Sequence, residues 1–212
     1  SQWKEEQEKE LPLEFPVEVS ARHVHLTEED IQTLFGPGAS LTPKRPLSQP
    51  GQFLSEERVT LVTAKGRIDN VAVLGPARAH TQTELSLTDS RALGIAAPLR
   101  MSGDLRGAGD VYIFGPRGMV HARESVIIAQ AHIHITPDQA EKIGIRNGQQ
   151  VSVTLPGERR ITMNNVICRV SKDAGLAMHI DFDEANGCML KNNSTARMKV
   201  VGKCPLTLDN QG

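Results

Sequence analysis

Short segments in which apolar and polar positions alternate recur along the chain, and a period of two is typical of β-strands that bury one face. These segments include residues 58–63, 68–74, 150–155 and 163–170. Turn sequences at Lys65-Gly66 and Pro156-Gly157 separate the members of each pair, as in hairpins. Many short strands with few helices favour small β-barrels over an architecture of alternating strands and helices.

One order of residues occurs twice, and the copies lie 109 residues apart, counted as 132 minus 23. The first copy reads SARHVHLTEED from Ser20, and the second reads QAHIHITPDQ from Gln130. In each copy a strand-like segment precedes a Thr suited to cap a helix, with an acid or amide three positions later. Gly36 and Gly144 then end helices of about two to three turns. The repeat predicts a mainly β fold with short helices, made of two similar small β-barrel domains from an internal duplication.

The domain organisation follows from this repeat. Residues 1–15 are rich in charge at first and predict an N-terminal arm, either a targeting or a disordered segment. We assign residues 16–115 to the first β-barrel repeat and residues 116–212 to the second. A glycine-rich stretch at residues 102–110 lies close to that boundary.

Composition narrows the class of protein. The 212 residues are 39% hydrophobic and 23% charged, which is typical of a globular protein, and no apolar run approaches the ~20 residues of a membrane helix. A net charge of -1 disfavours general binding to nucleic acid. The three cysteines are odd in number and form no Cys-x-x-Cys pair, so we expect a reducing compartment and a cytoplasmic location.

The two His-x-His units are the main candidates for chemistry. In a strand, His23 and His25 project from the same face, and so do His132 and His134, so that each pair is able to bind one ion. Two surface or hydrogen-bonding histidines are the alternative for an isolated pair. When the two halves are aligned, Glu84 and His179 occupy equivalent positions. Each half then has three residues of the types that bind zinc. Three such ligands with a fourth position open are typical of catalytic rather than structural zinc.

Other polar residues carry weaker signals. Arg78 precedes the Glu84 segment, where a guanidinium would bind a phosphate or carboxylate, although a surface arginine after a turn is the alternative. The sequence from Gly115 to Gly118 is interpreted as a hairpin turn. His80 and His121 have no partner at ligand spacing, so we expect structural roles for both.

Several motifs together resemble the PduL-type phosphate propanoyltransferases, the phosphotransacylases of bacterial microcompartments. The motifs are VEVSARHVHL from Val17, GPAR from Gly75, TQTE from Thr81, SGD from Ser102 and AHIHI from Ala131. The resemblance runs from about Pro16 to about Lys199. It implies a duplicated β-barrel enzyme with two zinc ions per chain, which interconverts an acyl-CoA and phosphate with an acyl phosphate and free CoA.

The resemblance also implies roles for individual residues. His23, His25 and Glu84 would bind one zinc ion, whose open position faces the CoA sulfur, and His132, His134 and His179 would bind the other. Arg78 would bind phosphate, while Ser20, His179 and Asn186 would contact CoA. The division of ligands between the ions stays open, because an exchange of ligands across the interface of the two barrels is compatible with the same residues. The second copy lacks the basic residue that Arg22 supplies in the first.

The expected substrates are therefore phosphate and a short-chain acyl-CoA, with the propanoyl chain favoured. We expect a homo-oligomer inside a bacterial microcompartment, where shell or core proteins would be partners, and a place in propanediol degradation. Two other functions fit the same ligands. One is a dinuclear zinc hydrolase that uses metal-bound hydroxide, and the other is a non-catalytic metal-binding microcompartment module.

Overall fold

The computed structural model describes residues 9–200. In chain order its elements are β1 (Lys9–Ser20), β2 (His23–His25), α1 (Glu28–Phe35), β3 (Pro43–Pro46), β4 (Phe53–Val62), β5 (Arg67–Gly75), β6 (Gln82–Glu84), α2 (Leu87–Leu93), β7 (Leu99–Arg100), β8 (Gly109–Phe114), β9 (Met119–Ala129), β10 (His132–Ile135), α3 (Pro137–Ile143), β11 (Gln150–Leu155), β12 (Ile161–Val170), β13 (Ala177–Asp181), α4 (Phe182–Cys188) and β14 (Thr195–Val200). Within this range no helix has the length and apolar character that crossing a membrane requires.

The strands close two barrels of six strands each, which confirms the predicted fold class. The first barrel follows the order β4-β5-β2-β6-β9-β8 and closes through the pairing of β8 with β4, while β3 and β7 extend its edges. The second follows the order β1-β13-β10-β12-β11-β14. Read in the opposite direction from β11, as β11-β12-β10-β13-β1-β14, the second order corresponds to the first position by position, with β2 equivalent to β10 and β6 equivalent to β13.

The barrels exchange one strand each. β1 leads directly into β2 of the first barrel, yet it pairs with β13 and β14 of the second, with Val17 opposite Met178. β9 leads into β10 of the second barrel, yet it pairs with β6 and β8 of the first, with Thr83 opposite Val126. Each strand that precedes a His-x-His strand therefore belongs to the barrel of the other half.

This exchange divides the chain differently from the predicted ranges of 16–115 and 116–212. Residues 16–20 lie in the second barrel and residues 119–129 lie in the first. A period of two carries no information on which sheet a strand joins, so the exchange has no signal in the alternation of apolar and polar residues.

The predicted arm of residues 1–15 also differs in its described part. Residues 9–15 form the first part of β1, and residues 1–8 lie outside the described residues. Leu11, Phe15 and Val17 are buried in the core of the second barrel. These apolar positions follow the period of two expected for a strand with one buried face.

The two helices that follow the His-x-His strands begin and end where the sequence predicts. Thr27 caps α1 and Thr136 caps α3, each by accepting a hydrogen bond from the backbone N–H three positions later. In α3, Gln139 completes the capping box and Gly144 ends the helix with a φ of 73°. These caps fix the chain directly after each His-x-His strand, so the strand ends are held by local hydrogen bonds.

Glu184 gives the fold a testable pH dependence. It accepts a hydrogen bond from the Asp181 N–H at 2.9 Å in the capping box of α4, and burial raises its pKa from 4.5 to about 7. Its contribution to stability is therefore complete below the unfolded-state pKa and is lost as the pH rises through about 7. Glu184→Gln keeps an oxygen acceptor but does not ionise. Between pH 5 and 8 we therefore expect the free energy of unfolding of the unaltered chain to fall by about 2 kcal/mol more than that of the variant.

Urea unfolding at the two pH values measures this difference. Glu56→Gln, which replaces an exposed carboxylate on β4, serves as the control. Equal pH dependence in the Glu184 variant and the unaltered chain would contradict the prediction.

Candidate metal centre

The first group of potential ligands lies on adjacent strands of the first barrel. Val24 is fully buried in the core, so its neighbours His23 and His25 project from the outer face of β2. Antiparallel pairing places Glu84 of β6 directly opposite His23. The nearest carboxylate oxygens lie 3.5 Å from His23 Nε2 and 4.0 Å from His25 Nε2. The three ligand atoms all lie within 4.8 Å of one another.

The second group repeats this construction in the second barrel. Ile133 is fully buried, and His132 and His134 project from the outer face of β10. His179 of β13 lies directly opposite His132. The Nε2 atoms of His132 and His134 are 3.1 Å apart, and one ligand atom from each of the three histidines lies within 4.8 Å of the others. The structure therefore brings together the six residues in the two sets of three that the alignment of the halves predicts.

The backbone orients one histidine of each group in the same way. His23 Nδ1 lies 2.8 Å from the carbonyl oxygen of Ala21, and His132 Nδ1 lies 2.8 Å from that of Gln130. A carbonyl oxygen only accepts hydrogen bonds, so Nδ1 carries the proton and the lone pair is on Nε2. Both Nε2 atoms face the other members of their groups. This use of the second ring nitrogen is typical of histidines that bind metal.

The electrostatics keep the groups in their metal-binding forms. Burial lowers the pKa of His25 well below its ordinary value, that of His132 to about 4 and that of His134 to about 3. Burial alone would raise the pKa of Glu84, but the neighbouring His23 and His25 outweigh it and the pKa falls to about 2. At neutral pH these residues therefore offer imidazole lone pairs and a carboxylate, the forms that bind metal ions.

The donor sets fit a divalent ion such as zinc. Two nitrogens bound tetrahedrally at 2.0–2.1 Å from one ion lie about 3.3 Å apart, close to the 3.1 Å between His132 and His134. Histidine and glutamate in groups of three leave a fourth position for water or substrate. The described cysteines, Cys168 and Cys188, are buried in the core of the second barrel and belong to neither group.

Arg78 is held beside Glu84 by a polar network. Its backbone N–H donates to the Leu26 carbonyl at 2.8 Å, and its Nη1 donates to Ser102 Oγ at 3.3 Å. Gln82 donates from Nε2 to the same Ser102 oxygen at 2.9 Å and to Glu84 Oε1 at 2.7 Å. Burial lowers the pKa of Arg78, although the charge of Glu84 opposes this. The guanidinium and the first ligand group are therefore parts of one network.

Gln82 and Ser102 lie in two of the sequence motifs, TQTE and SGD, but no role was predicted for either residue. The position of Gln82 did indicate a contact with Glu84, because Gln82 lies two residues before Glu84 and so projects from the same face of β6. Ser102 is far from both in sequence, so its contacts depend on tertiary structure. Arg169 was also missed, and it lies directly opposite His134 across β10 and β12.

Both ligand groups line one cleft between the barrels, with a volume of about 910 Å³. Arg78, Arg169 and Ser20 also line this cleft. Asn186 of α4 is exposed to solvent and is not among the residues that line the cleft, so its contact with CoA stays a prediction. The later residues Asn192 and Asn193 face the cleft instead.

The remaining polar candidates belong to neither ligand group. Arg22 donates from Nε to Asp89 at 2.7 Å, so the basic residue that the second copy lacks forms an ion pair with α2. His121 stacks on Tyr112 with ring centroids 4.3 Å apart, and Tyr112 lies directly opposite it in the β8–β9 hairpin. His80 is exposed and outside both ligand groups.

Comparison with known proteins gives consistent matches over most of the chain. The family model described as phosphate propanoyltransferase matches residues 16–191. A phosphate propanoyltransferase from Priestia megaterium is 52% identical over 180 residues, which are 85% of this chain and 83% of that protein. One from Alkaliphilus metalliredigens is 46% identical over 193 residues, 91% of each chain, and one from Thermotoga maritima is 49% identical over 175 residues, 82% and 83% of the two chains. The range matched by the family model contains Arg78 and all six potential metal ligands.

Proposed function

The chain belongs to the phosphate propanoyltransferase family and is an acyltransferase, and we propose that it works through a dinuclear metal centre in the cleft between its barrels. It interconverts a short-chain acyl-CoA and phosphate with an acyl phosphate and free CoA. The observation that carries this proposal is the presence of two three-ligand groups in one cleft, with the Arg78 guanidinium in the hydrogen-bond network of Glu84.

Each part of the site has a place in this reaction. His23, His25 and Glu84 would hold one divalent ion, and His132, His134 and His179 would hold the other. Bound ions would supply positive charge that stabilises a developing oxyanion and a departing thiolate. Arg78 binds phosphate through two parallel hydrogen bonds and directs one oxygen toward the thioester carbonyl. The new bond joins this oxygen to the carbonyl carbon, the carbon–sulfur bond breaks, and CoA leaves as the thiolate.

The described residues support direct attack by phosphate. Burial raises the pKa of Cys168 to about 12, and the Cys188 thiol donates to the Ala185 carbonyl in the core, so neither thiol is placed as a nucleophile. Ser48 lies 3.3 Å from His179 Nε2, but its hydroxyl donates to Glu18 at 2.6 Å. The arrangement therefore does not activate Ser48 as a nucleophile, and no covalent acyl-enzyme is needed.

The decisive experiment combines metal analysis with an assay of thiol release from acetyl-, propanoyl- and butanoyl-CoA. We expect about two zinc ions per chain, thiol release that requires phosphate, and acyl phosphate as the product, with propanoyl-CoA the best substrate. Thiol release without phosphate, with free acid as the product, would favour a zinc hydrolase. Bound zinc without either activity would favour a non-catalytic metal-binding module.

Arg78 provides a specific test of the phosphate site. A lysine keeps the charge but lacks the planar pair of donors, so we expect Arg78→Lys to lower kcat/KM for phosphate by roughly 10- to 100-fold. The KM for acyl-CoA should change far less. Initial rates at varied phosphate measure the effect, and Arg91→Lys on the exposed face of α2 is the control. A normal kcat/KM for phosphate would remove Arg78 from the proposed role.

The location and assembly are also proposed from family membership. We place the enzyme inside a bacterial microcompartment, as a homo-oligomer that contacts shell or core proteins and takes part in propanediol degradation. Cofractionation with purified microcompartments tests the location, and light scattering of the purified chain tests the assembly. Recovery only in the free cytoplasmic fraction, or a monomer in solution, would contradict these parts.

A further inference from the structure

A carboxylate lies against the third histidine of the second ligand group. Glu18 of β1 is directly opposite His179 across the β1–β13 pairing. Its Oε2 lies 3.0 Å from His179 Nε2. β1 is the strand that the first half contributes to the second barrel, so Glu18 reaches this group only because of the strand exchange. Glu18 itself is not among the three residues whose ligand atoms converge.

A loop of the first barrel holds this carboxylate in place. Ser48, between β3 and β4, donates its hydroxyl hydrogen to Glu18 Oε2 at 2.6 Å. The next residue, Gln49, is buried and forms two hydrogen bonds to the backbone of Gly175, from Nε2 to the carbonyl at 2.9 Å and to Oε1 from the N–H at 3.2 Å. A Cβ at Gly175 would overlap the Ser48 carbonyl oxygen, so the close approach requires glycine here. The loop is therefore docked on the turn before β13.

The hydrogen-bond roles determine which nitrogen of His179 carries a proton. An ionised carboxylate only accepts hydrogen bonds, and the single hydroxyl hydrogen of Ser48 already points to Glu18. The 3.0 Å contact between Glu18 and His179 therefore requires a proton on Nε2. In a neutral imidazole this leaves the lone pair on Nδ1. His132, in the same group, has the opposite arrangement, because its Nδ1 faces the Gln130 carbonyl.

We propose that Glu18, supported by Ser48, is a positioning residue that fixes the tautomer and orientation of His179 so that Nδ1 binds the second metal ion. This inference rests on the proposed dinuclear centre. Carboxylates that hydrogen-bond to a ligand histidine orient the ring and increase its basicity, and their loss typically lowers metal affinity 10- to 100-fold. Glu18 makes the second site depend on β1, a strand that comes from the other half of the chain.

Zinc titration of the full chain against a chromophoric chelator tests the affinity. We expect the unaltered protein to bind two ions, and Glu18→Ala to bind one with unchanged affinity and the other 10- to 100-fold more weakly. Glu18→Gln keeps an oxygen acceptor, so its affinity for the second ion should lie between those of the unaltered protein and of Glu18→Ala. Glu14→Gln is the matched control, since Glu14 lies on the same strand and contacts Arg197 and Thr195 instead.

Nitrogen-15 NMR of the histidine rings distinguishes positioning from a general structural effect. In the zinc-loaded unaltered chain, His179 should coordinate through Nδ1 and carry a proton on Nε2, and Glu18→Ala should lose this pattern while the His23 signals stay unchanged. Coordination of His179 through Nε2, or unchanged affinity for both ions in Glu18→Ala, would overturn the inference. Fewer than two ions bound by the unaltered chain would instead overturn the proposed centre on which the inference rests.

Discussion

Glu84→Gln is expected to lower kcat for phosphate-dependent thiol release by roughly 10³-fold, a loss of about 4 kcal/mol of transition-state stabilisation. Glu84 is the only carboxylate among the six potential ligands, and glutamine has nearly the same size without the charge. The amide oxygen of the glutamine can still accept the hydrogen bond that Gln82 Nε2 donates to Glu84 Oε1, so the variant removes the charge more than the contact. Metal content should fall from about two ions per chain to about one.

His25→Ala should have the same consequence, because it removes a different ligand from the same group. His134→Ala should instead weaken binding of the other ion. Glu141→Gln, on the exposed face of α3, provides a matched control for the change of charge. Full activity with two bound ions in Glu84→Gln would contradict the assignment of this residue as a ligand.

The exchanged strands determine which fragment of the chain can fold on its own. We expect a fragment of residues 21–129 to fold and a fragment of residues 1–115 to remain unfolded. The first fragment contains all six strands that close the first barrel, including β9. The second lacks β9 and carries β1, whose buried Leu11, Phe15 and Val17 then have no core to enter. A barrel without one strand exposes the backbone groups of both neighbouring strands, β6 and β8.

Proton–nitrogen NMR spectra and thermal unfolding followed by circular dichroism measure the outcome. Dispersed amide signals and a cooperative transition should appear for residues 21–129 and be absent for residues 1–115. A folded 1–115 fragment together with an unfolded 21–129 fragment would show that the strand exchange does not determine which segments form a stable barrel.

Most of the local architecture could be predicted from the sequence, because its signals lie within a few residues of one another. Alternation identified the hairpin strands, and the threonine and glycine caps defined α1 and α3. The third ligand of each group was found by aligning the halves, and the strand register places Glu84 opposite His23 and His179 opposite His132. The catalytic and CoA-binding roles of these residues remain predictions.

The strand exchange could not be predicted, because β1 has the same period of two in either barrel. The supporting residues of the site depend on it or on other distant contacts. Glu18 meets His179 across 161 positions of the chain, and Gln49 meets Gly175 across 126. Contacts at such separations follow from the closed fold and have no local pattern.

The crossed strands also bear on how the two ligand groups differ. A half of this chain with the same strand arrangement could close its barrel only by lending its first strand to a second copy, which would make it a homodimer with two identical ligand groups. Because one chain holds both halves, no such symmetry constrains the two groups. One group can therefore have a carboxylate, Glu84, where the other has an imidazole, His179.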